Sequence, residues 1–239
     1  MAHQLDQPTP EARIPLSRER VLRAAMELAD EAGLESLSMR RLAQPLGVEA
    51  MSLYHHVRNK DDLLSGILDM VYAEIELPAN DVDWRSDMRR TAISFHDVLL
   101  SHEWACSLFM APLSVGPARF RYMDAVLGRL RSAGFSAEMT HHAYHALDSH
   151  IVGFVLWLLP FLAFARQGPE AADDVLRSVP VDGLPHLAEH IDVHQAPERA
   201  GDVNEFEFGK SSLGPGPQIH LQQRTPGEEL CRVHFIPAS

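Results

Sequence analysis

The sequence SMRRLAQPLGVEAMSLYHHVRNK, residues 38–60, contains two short segments of helical pattern separated by one glycine. Ser38 can cap the first helix, because its hydroxyl can accept a hydrogen bond from an amide of the first turn. The apolar side chains of that helix recur at the spacing of one buried face: Met39, Leu42, Ala43 and Leu46. Gly47 then predicts the end of the helix, since glycine readily adopts the left-handed conformation found there.

A second helix is predicted from Glu49 to His56. Its apolar Leu53 and the following Val57 can face the first helix. The outward side chains are small, hydroxyl-bearing or ring-bearing: Ala50, Met51, Ser52, Tyr54 and His55. Two short helices at a sharp angle, with such side chains on the second, have the shape that fits a DNA major groove. The alternative is an ordinary helical hairpin within a core.

The stretch LAQPLGVEAMSLYHHVRNKDDLL, residues 42–64, follows RERVLRAAMELADEAGLESLSMR, residues 18–40. Together they resemble the DNA-binding domain of the TetR family of transcriptional repressors, in particular the branch that contains the tetracycline repressor. The matching positions are Leu42-Ala43, Gly47-Val48, Leu53-Tyr54, His55-His56-Val57 and Asn59-Lys60. The resemblance implies a helix-turn-helix domain whose second helix enters the major groove, while two subunits of a homodimer read a palindromic operator.

The resemblance also implies roles for individual residues. Arg40 matches a family arginine that reaches a base or a phosphate, and Tyr54, His55 and Lys60 match phosphate-contacting positions. The predicted DNA-binding set is Arg40, Arg41, Ala50, Met51, Ser52, Tyr54, His55 and Lys60. The tip of the second helix differs from the glutamine and proline of the tetracycline repressor, so we expect a different operator sequence.

Composition places the chain among globular proteins with a sizeable core: 239 residues, 46% hydrophobic and 23% charged. Two cysteines cannot form a disulfide framework and no secretory leader opens the sequence, so we expect a cytoplasmic protein. The most apolar run, residues 151–165, is too short to span a membrane and is interpreted as core.

The net charge of −12 is unevenly distributed. Residues 1–60 hold eight Lys/Arg and eight Asp/Glu, whereas residues 61–209 hold ten and 23. A locally neutral DNA-binding segment within an acidic chain can still neutralise phosphates. The cations available for this lie near its ends: Arg18, Arg20, Arg40, Arg41, Arg58 and Lys60.

We expect an all-α fold with four segments. Residues 1–15 form a disordered arm, residues 16–62 the helix-turn-helix domain (the head), residues 63–209 a helical effector-binding and dimerisation domain (the body), and residues 210–239 an atypical tail. Further helices are predicted at residues 17–33, 61–77, 84–102, 104–110, 117–133, from 136 onward with a kink or end near Pro160, 171–178 and 185–190.

The last segment departs from the family pattern. Residues 202–209 match the opening of the last family helix, which normally packs against its copy in the other subunit. The glycines and prolines between Gly214 and Gly227 exclude a long helix there. Either a shifted reading frame or unrelated sequence begins near Lys210, or the tail is genuine. If the last family helix is missing from the usual four-helix dimer contact, the helix from Ser136 must supply most of the interface.

By resemblance, the body binds a small-molecule inducer between its helices. Most residues that hold magnesium-tetracycline in the tetracycline repressor have no equivalent here. The position of the metal-binding histidine corresponds to Phe109. The positions that hydrogen-bond the drug correspond to Thr91, Val126 and Glu76, and only Phe95 matches the family residue. The predicted effector-binding set is apolar and aromatic: Phe95, Leu99, Phe109, Met123, Val126, Phe154 and Trp157. We therefore expect an apolar or aromatic effector and no cofactor.

Two alternatives remain open. His141, His145 and Asp148 lie at i, i+4 and i+7 of one helix face, a spacing that can present metal ligands for a metal-sensing regulator. The chain can also be a helical protein-interaction module that binds no operator. An enzyme is not expected, since no nucleophile elbow, phosphate loop or paired catalytic carboxylates lie on a recognisable scaffold.

Overall fold

The structure, a computed structural model, describes residues 15–81, 83–109, 111–168 and 178–195. These ranges contain helices and no strand, which confirms the all-α prediction. The α-helices are α1 Arg18–Ala32, α2 Met39–Leu46, α3 Ala50–Leu53, α4 Lys60–Glu74, α5 Trp84–Ser101, α6 Ala105–Leu108, α7 Pro117–Ser132, α8 Ala137–Ala165 and α9 Pro185–Gln195.

The chain divides into two compact units, Met1–Leu159 and Pro160–Ser239. The first unit holds α1 to α7 and α8 as far as Leu159, and within it α4 packs against α1, α5, α6 and α7. The described part of the second unit holds the end of α8 and α9. Helix α4 is therefore the element that the other helices of the first unit share.

Local signals set three helix ends of the first unit as predicted, namely the starts of α1 and α2 and the end of α2. The Ser17 and Ser38 hydroxyls accept hydrogen bonds from the amides of Arg20 and Arg41, and each begins a helix. Gly47 ends α2 with φ +67° and ψ +33°, the left-handed conformation expected of it. Space around Gly47 is open, so its backbone angles rather than crowding explain the glycine.

Several predicted boundaries are wrong. Helix α3 is shorter than predicted, because residues 54–56 form a tight turn instead of continuing it. Their backbone amides donate hydrogen bonds to carbonyls three residues earlier, such as Tyr54 to Met51 at 3.2 Å. Helix α4 ends at Glu74 rather than Leu77. Helix α6 covers only Ala105–Leu108. These ends are set by packing and turn geometry that periodicity does not report.

Helix α8 continues through Pro160 to Ala165, so the proline does not end it. Helix α9 runs to Gln195, five residues beyond the predicted end. The predicted helix at residues 171–178 lies outside the described residues apart from Ser178, as do the tail at 210–239 and the arm at 1–15 apart from Pro15.

Asp69 joins α4 to the first turn of α7. Its Oδ1 accepts hydrogen bonds from the amides of Ala118 at 2.8 Å and Arg119 at 3.1 Å. These amides have no partner within their own helix, and a carboxylate there also interacts favourably with the helix dipole. Gly116 allows the approach, since a Cβ on it would lie 2.2 Å from the Asp69 Cγ. One side chain therefore fixes where α7 meets α4.

Replacing Asp69 by Ala should destabilise the protein by about 1–2 kcal/mol, because two helix-terminal amides lose their acceptor. Urea unfolding followed by far-UV circular dichroism measures this change. Asp124→Ala, at an exposed position on the same helix α7, is the matched control and should change the free energy of unfolding by less than about 0.5 kcal/mol. Equal effects of the two substitutions would contradict the proposed role of Asp69.

Candidate nucleic-acid interface and effector site

The predicted DNA-binding side chains lie on α2, α3, the turn after α3 and the start of α4, and most of them are exposed to solvent. Arg40, Arg41, His55 and Lys60 are exposed, and Met51 is 73% exposed. The remaining members are Tyr54, which is 45% exposed, and the half-buried Ala50 and Ser52. All eight side chains are thus at least partly accessible to a partner.

The opposite side of the motif is fully buried. Leu42 and Leu53 have no exposed surface and Val57 has 1%. Helix α2 packs against α1 and α3, and α1 packs against α4. Val21 of α1 and Ile67 of α4 are also fully enclosed. Burying such a side chain contributes about 1.5–3 kcal/mol. The apolar face therefore holds α3 in a fixed orientation, as the sequence predicts.

Sequence reasoning missed the role of Asp62. The Arg18 guanidinium donates to both Asp62 oxygens at 2.8 and 3.2 Å and to the carbonyl of His56 at 2.8 Å. The amide of Arg58 donates to Asp62 at 2.8 Å. The hydrogen bond from Arg18 is the main reason that the pKa of Asp62 falls to about 2. Arg18, predicted above to be available for phosphates, also joins α1 to the start of α4.

Part of this site could have been predicted from the sequence. The Asn59 side chain accepts a hydrogen bond from the Asp62 amide at 2.8 Å, as expected of a residue that caps a helix. An Asn followed three residues later by an acid is typical of a capped helix start. The pairing of Asp62 with Arg18, 44 residues away, cannot be predicted from a local sequence pattern.

The predicted effector residues occupy two places. Phe95 and Phe109 stack with Tyr72 and Tyr122, with ring centroids 5.3–5.8 Å apart. We call these four rings the aromatic cluster. Leu99 and Val126 are fully buried in the same unit, and Met123 is half-buried. The remaining two, Phe154 and Trp157, stack on each other at 6.1 Å, and Trp157 is 48% exposed. Trp157 is therefore positioned for a surface rather than for an interior site.

An open groove of about 390 Å³ lies elsewhere, along one side of α5. It is lined by Glu76, Arg90, Ile93, Ser94, Asp97, Val98 and Ser101. None of the seven belongs to the predicted apolar effector set. Since the rings of the aromatic cluster contact one another in this state, an effector would have to enter by separating side chains around them.

The metal-binding alternative is wrong in its assignment of Asp148. The Asp148 Oδ1 accepts a hydrogen bond from the Tyr122 hydroxyl at 2.7 Å. Burial raises the pKa of the Asp148 carboxyl, against the opposing effect of hydrogen bonds from Tyr144 and Tyr122. His141 and His145 are exposed and their rings stack at 4.5 Å. In the described part of the chain, no group of three or more His, Cys, Asp or Glu side chains is arranged to hold a metal.

A further set of contacts, which joins α1 of the head to the body, centres on His102. Its Nδ1 lies 2.7 Å from Asp30 Oδ1 on α1, and its Nε2 lies 3.1 Å from Glu74 Oε2 on α4. Trp104 Nε1 donates to the same Asp30 oxygen at 2.6 Å. Burial disfavours the charged His102 ring, but the hydrogen bonds and charges of Asp30 and Glu74 outweigh it, so the pKa of His102 is raised above 6.5.

Comparison with known families gives two matches. The family "Bacterial regulatory proteins, tetR family" matches residues 21–67, and the family "Tetracyclin repressor-like, C-terminal domain" matches residues 77–213. The first match covers α2, α3 and most of the DNA-facing surface. The second contains the aromatic cluster apart from Tyr72 and ends soon after Gly209, where the sequence departs from the family pattern.

Individual proteins show the same similarity. An HTH-type transcriptional regulator from Saccharopolyspora erythraea is 36% identical over 141 residues, which cover 59% of this chain and 60% of that one. Tetracycline repressor protein class E from Escherichia coli is 30% identical over 219 residues, which cover 90% and 97%. The crystal structure of the Streptomyces coelicolor TetR family protein ActR in complex with actinorhodin aligns with a TM-score of 0.69 at 28% identity, covering 83% and 93%.

The His102 link predicts a pH-dependent contribution to stability. Because the folded-state pKa is raised, the contribution is complete below about pH 6 and declines as the pH rises through the folded-state pKa. His102→Gln should lower the free energy of unfolding by about 1–3 kcal/mol at pH 5.5 and by clearly less at pH 9. Urea unfolding of both proteins at the two pH values measures the difference.

His186→Gln, at an exposed position on α9, is the control for the general effect of removing an imidazole. Its free energy of unfolding should follow that of the unsubstituted protein at both pH values. A His102→Gln effect that stays constant from pH 5.5 to 9 would show that the charge of the ring contributes nothing.

Proposed function

Because the chain belongs to the TetR family of transcriptional regulators, we propose that it is a ligand-responsive repressor that binds a palindromic operator as a homodimer. The observation that carries the proposal is that the polar and cationic side chains of α2, α3 and the start of α4 are exposed, while the apolar Leu42, Leu53 and Val57 are fully buried. A rigid helix pair with free polar and cationic side chains is what major-groove recognition requires. The family consists of regulators, and the proposed role involves no catalysis.

Within that surface we assign two kinds of contact. Lys60 is exposed at the first position of α4, where the helix dipole also favours a phosphate. With Tyr54 and His55 it would position the head on the DNA backbone. Arg40 would reach a base edge, with Arg41 beside it, while Ala50, Met51 and Ser52 meet the groove at the tip of α3. The head at residues 16–62 and the body at 63–209 are proposed as the two functional domains.

The homodimer is proposed from the apolar surface of α8. The stretch Ala137–Phe164 is long and apolar enough to cross a membrane, and only 11% of its most apolar window is buried within the chain. Leu156 and Trp157 are 41% and 48% exposed, and further along the same helix Phe161 and Phe164 are 49% and 38% exposed. The first half also carries Glu138, Asp148 and four histidines, which a membrane interior disfavours. A second copy of α8 covers such a face without that penalty, which fits a cytoplasmic regulator.

The effector is proposed to be an aromatic small molecule bound near the aromatic cluster. ActR, the similar protein described above, binds actinorhodin. In this chain the effector would act by favouring an arrangement of the two heads that no longer fits the operator, which requires tighter binding to that arrangement than to the DNA-bound one. Magnesium-tetracycline is not the proposed effector, since Phe109 stands where the metal-binding histidine is expected.

A gel-shift assay tests the head. With an operator selected from a random pool, Lys60→Ala should weaken binding to all sequences alike and reduce the salt dependence by about one ion per subunit. Arg40→Ala should instead relax the preference at one base position, a loss of about 1–3 kcal/mol of discrimination. Arg121→Gln, an exposed arginine on α7 of the body, should leave both properties unchanged. An Arg40→Ala protein with unaltered base preference would contradict the assignment to a base.

Light scattering with size-exclusion chromatography tests the interface. Trp157→Glu places a charge on the exposed face of α8 and should convert the dimer into a monomer at micromolar concentration, because desolvating an unpaired carboxylate is costly. Phe120→Glu, on α7 at a side chain that is 58% exposed, controls for the loss of a surface aromatic and should remain dimeric. A Trp157→Glu protein that stays dimeric would place the interface elsewhere.

A further inference from the structure

Three buried polar atoms surround the aromatic cluster without a hydrogen-bond partner in the described part of the chain: Tyr72 Oη, Thr91 Oγ1 and Arg119 Nε. Tyr72 is 2% exposed and Thr91 is 1% exposed. Buried polar atoms are almost always paired in folded proteins, because leaving one unpaired costs free energy. Three such atoms around one group of rings therefore indicate a missing polar partner.

The residues that carry these atoms lie on three helices that contribute to or adjoin the aromatic cluster. Tyr72 on α4 stacks on Phe95 at 5.8 Å, and Thr91 lies one turn before Phe95 on α5. The Arg119 guanidinium of α7 lies over the ring of Tyr72, with its Cζ 5.4 Å from the ring centroid. Unpaired polar atoms and aromatic rings therefore occur close together in this part of the chain.

The Arg119 guanidinium forms no salt bridge within the described residues, and the acid on which its charge acts is Asp148, whose pKa it lowers. Asp69 binds the backbone amide of Arg119 and not its guanidinium. Asp148 accepts from the Tyr122 hydroxyl, and burial raises the pKa of that carboxyl, which favours its neutral form. Arg119 is half-buried with its Nε enclosed, and its guanidinium can bind a carboxylate or another anionic oxygen through charge-assisted hydrogen bonds.

We propose that Tyr72, Thr91 and Arg119 form the polar half of the effector site, and that the effector is an aromatic molecule with an ionised oxygen. The anionic oxygen meets the Arg119 guanidinium, and the hydroxyls of Tyr72 and Thr91 donate to further oxygens of the same molecule. The rings of the aromatic cluster receive its flat face. That this ligand regulates operator binding rests on the proposed function, whereas the binding of the aromatic anion itself does not.

A purely apolar effector fits less well, because it would leave all three donors unpaired after excluding water from them. A cationic aromatic is disfavoured by the charge of Arg119. The acidic oxygen is therefore the feature that separates this ligand class from aromatic molecules in general.

Calorimetry on the full chain without DNA tests the site with two probes of equal shape, naphthalene-2-carboxylate and naphthalene-2-carboxamide. The unsubstituted protein should bind the acid at least tenfold more tightly than the amide. Arg119→Met should remove that preference, and Arg119→Lys should keep part of it. Arg121→Gln, two residues along α7 and exposed, should leave the preference unchanged.

Thermal melts show whether Arg119 instead has a purely structural role. A ligand-binding arginine predicts an unchanged or higher melting temperature for Arg119→Met without ligand, whereas a structural one predicts a lower melting temperature. Tyr72→Phe, which keeps the ring and removes only the unpaired oxygen, should likewise fold with unchanged stability and bind the acid several-fold more weakly. It serves as the independent variant if Arg119→Met does not fold.

No preference for the acid in the unsubstituted protein, or an equal preference in the Arg119→Met and Arg119→Lys proteins, would overturn the proposal. So would an unaltered affinity of Tyr72→Phe for the acid. The operator gel shift is scored separately. A chain that shifts its operator but lacks acid preference refutes only this site, and one that binds the acid but shifts no operator refutes only the repressor function.

Discussion

Helix α4 is the constraint on which the rest of the first unit depends, because its two ends serve different parts of the protein. Its first turn is held in the head by the Asp62 carboxylate and Arg18. About two and three turns further on, Asp69 fixes the start of α7 and Tyr72 enters the aromatic cluster. A helix of 15 residues is about 22 Å long and bends little. A displacement at Tyr72 therefore has to move the head, unless a bond at one end breaks.

The contacts of His102 give a second connection between the aromatic cluster and the head. His102 and Trp104 precede α6 in the chain, Phe109 of the aromatic cluster follows it, and Asp30 belongs to α1. A molecule that separates Phe109 from Tyr72 thus acts on the head by two routes, through α4 and through α6. Both routes end on helices that support α3 rather than on α3 itself. The DNA-facing side chains can therefore stay unchanged while the position of the whole head changes, which is what release from a two-part operator requires.

The head could be predicted closely because its signals are local. Ser38, Gly47 and Asn59 each act on amides or backbone angles within a few residues. The end of α3 could not, since a run of polar and ring side chains is compatible with a helix and with a tight turn. In the body, periodicity places His141 and Asp148 on one helix face, but it cannot show that Tyr122 of another helix takes the carboxylate. Long-range hydrogen bonds decide such assignments, and the sequence pattern carries no trace of them.

Net charge and local charge act at different stages in this protein. A chain with a net charge of −12 repels both DNA and acidic effectors at long range, an effect that salt screens within about 10 Å. At contact only nearby groups matter, and there Lys60 and Arg40 face outward while Arg119 stands beside a carboxyl that burial keeps from ionising readily. Under the proposed function, the acidic body opposes non-specific attachment to nucleic acid. Discrimination at both proposed sites then depends on the groups in contact, because salt screens exposed charges that lie further apart than about 10 Å.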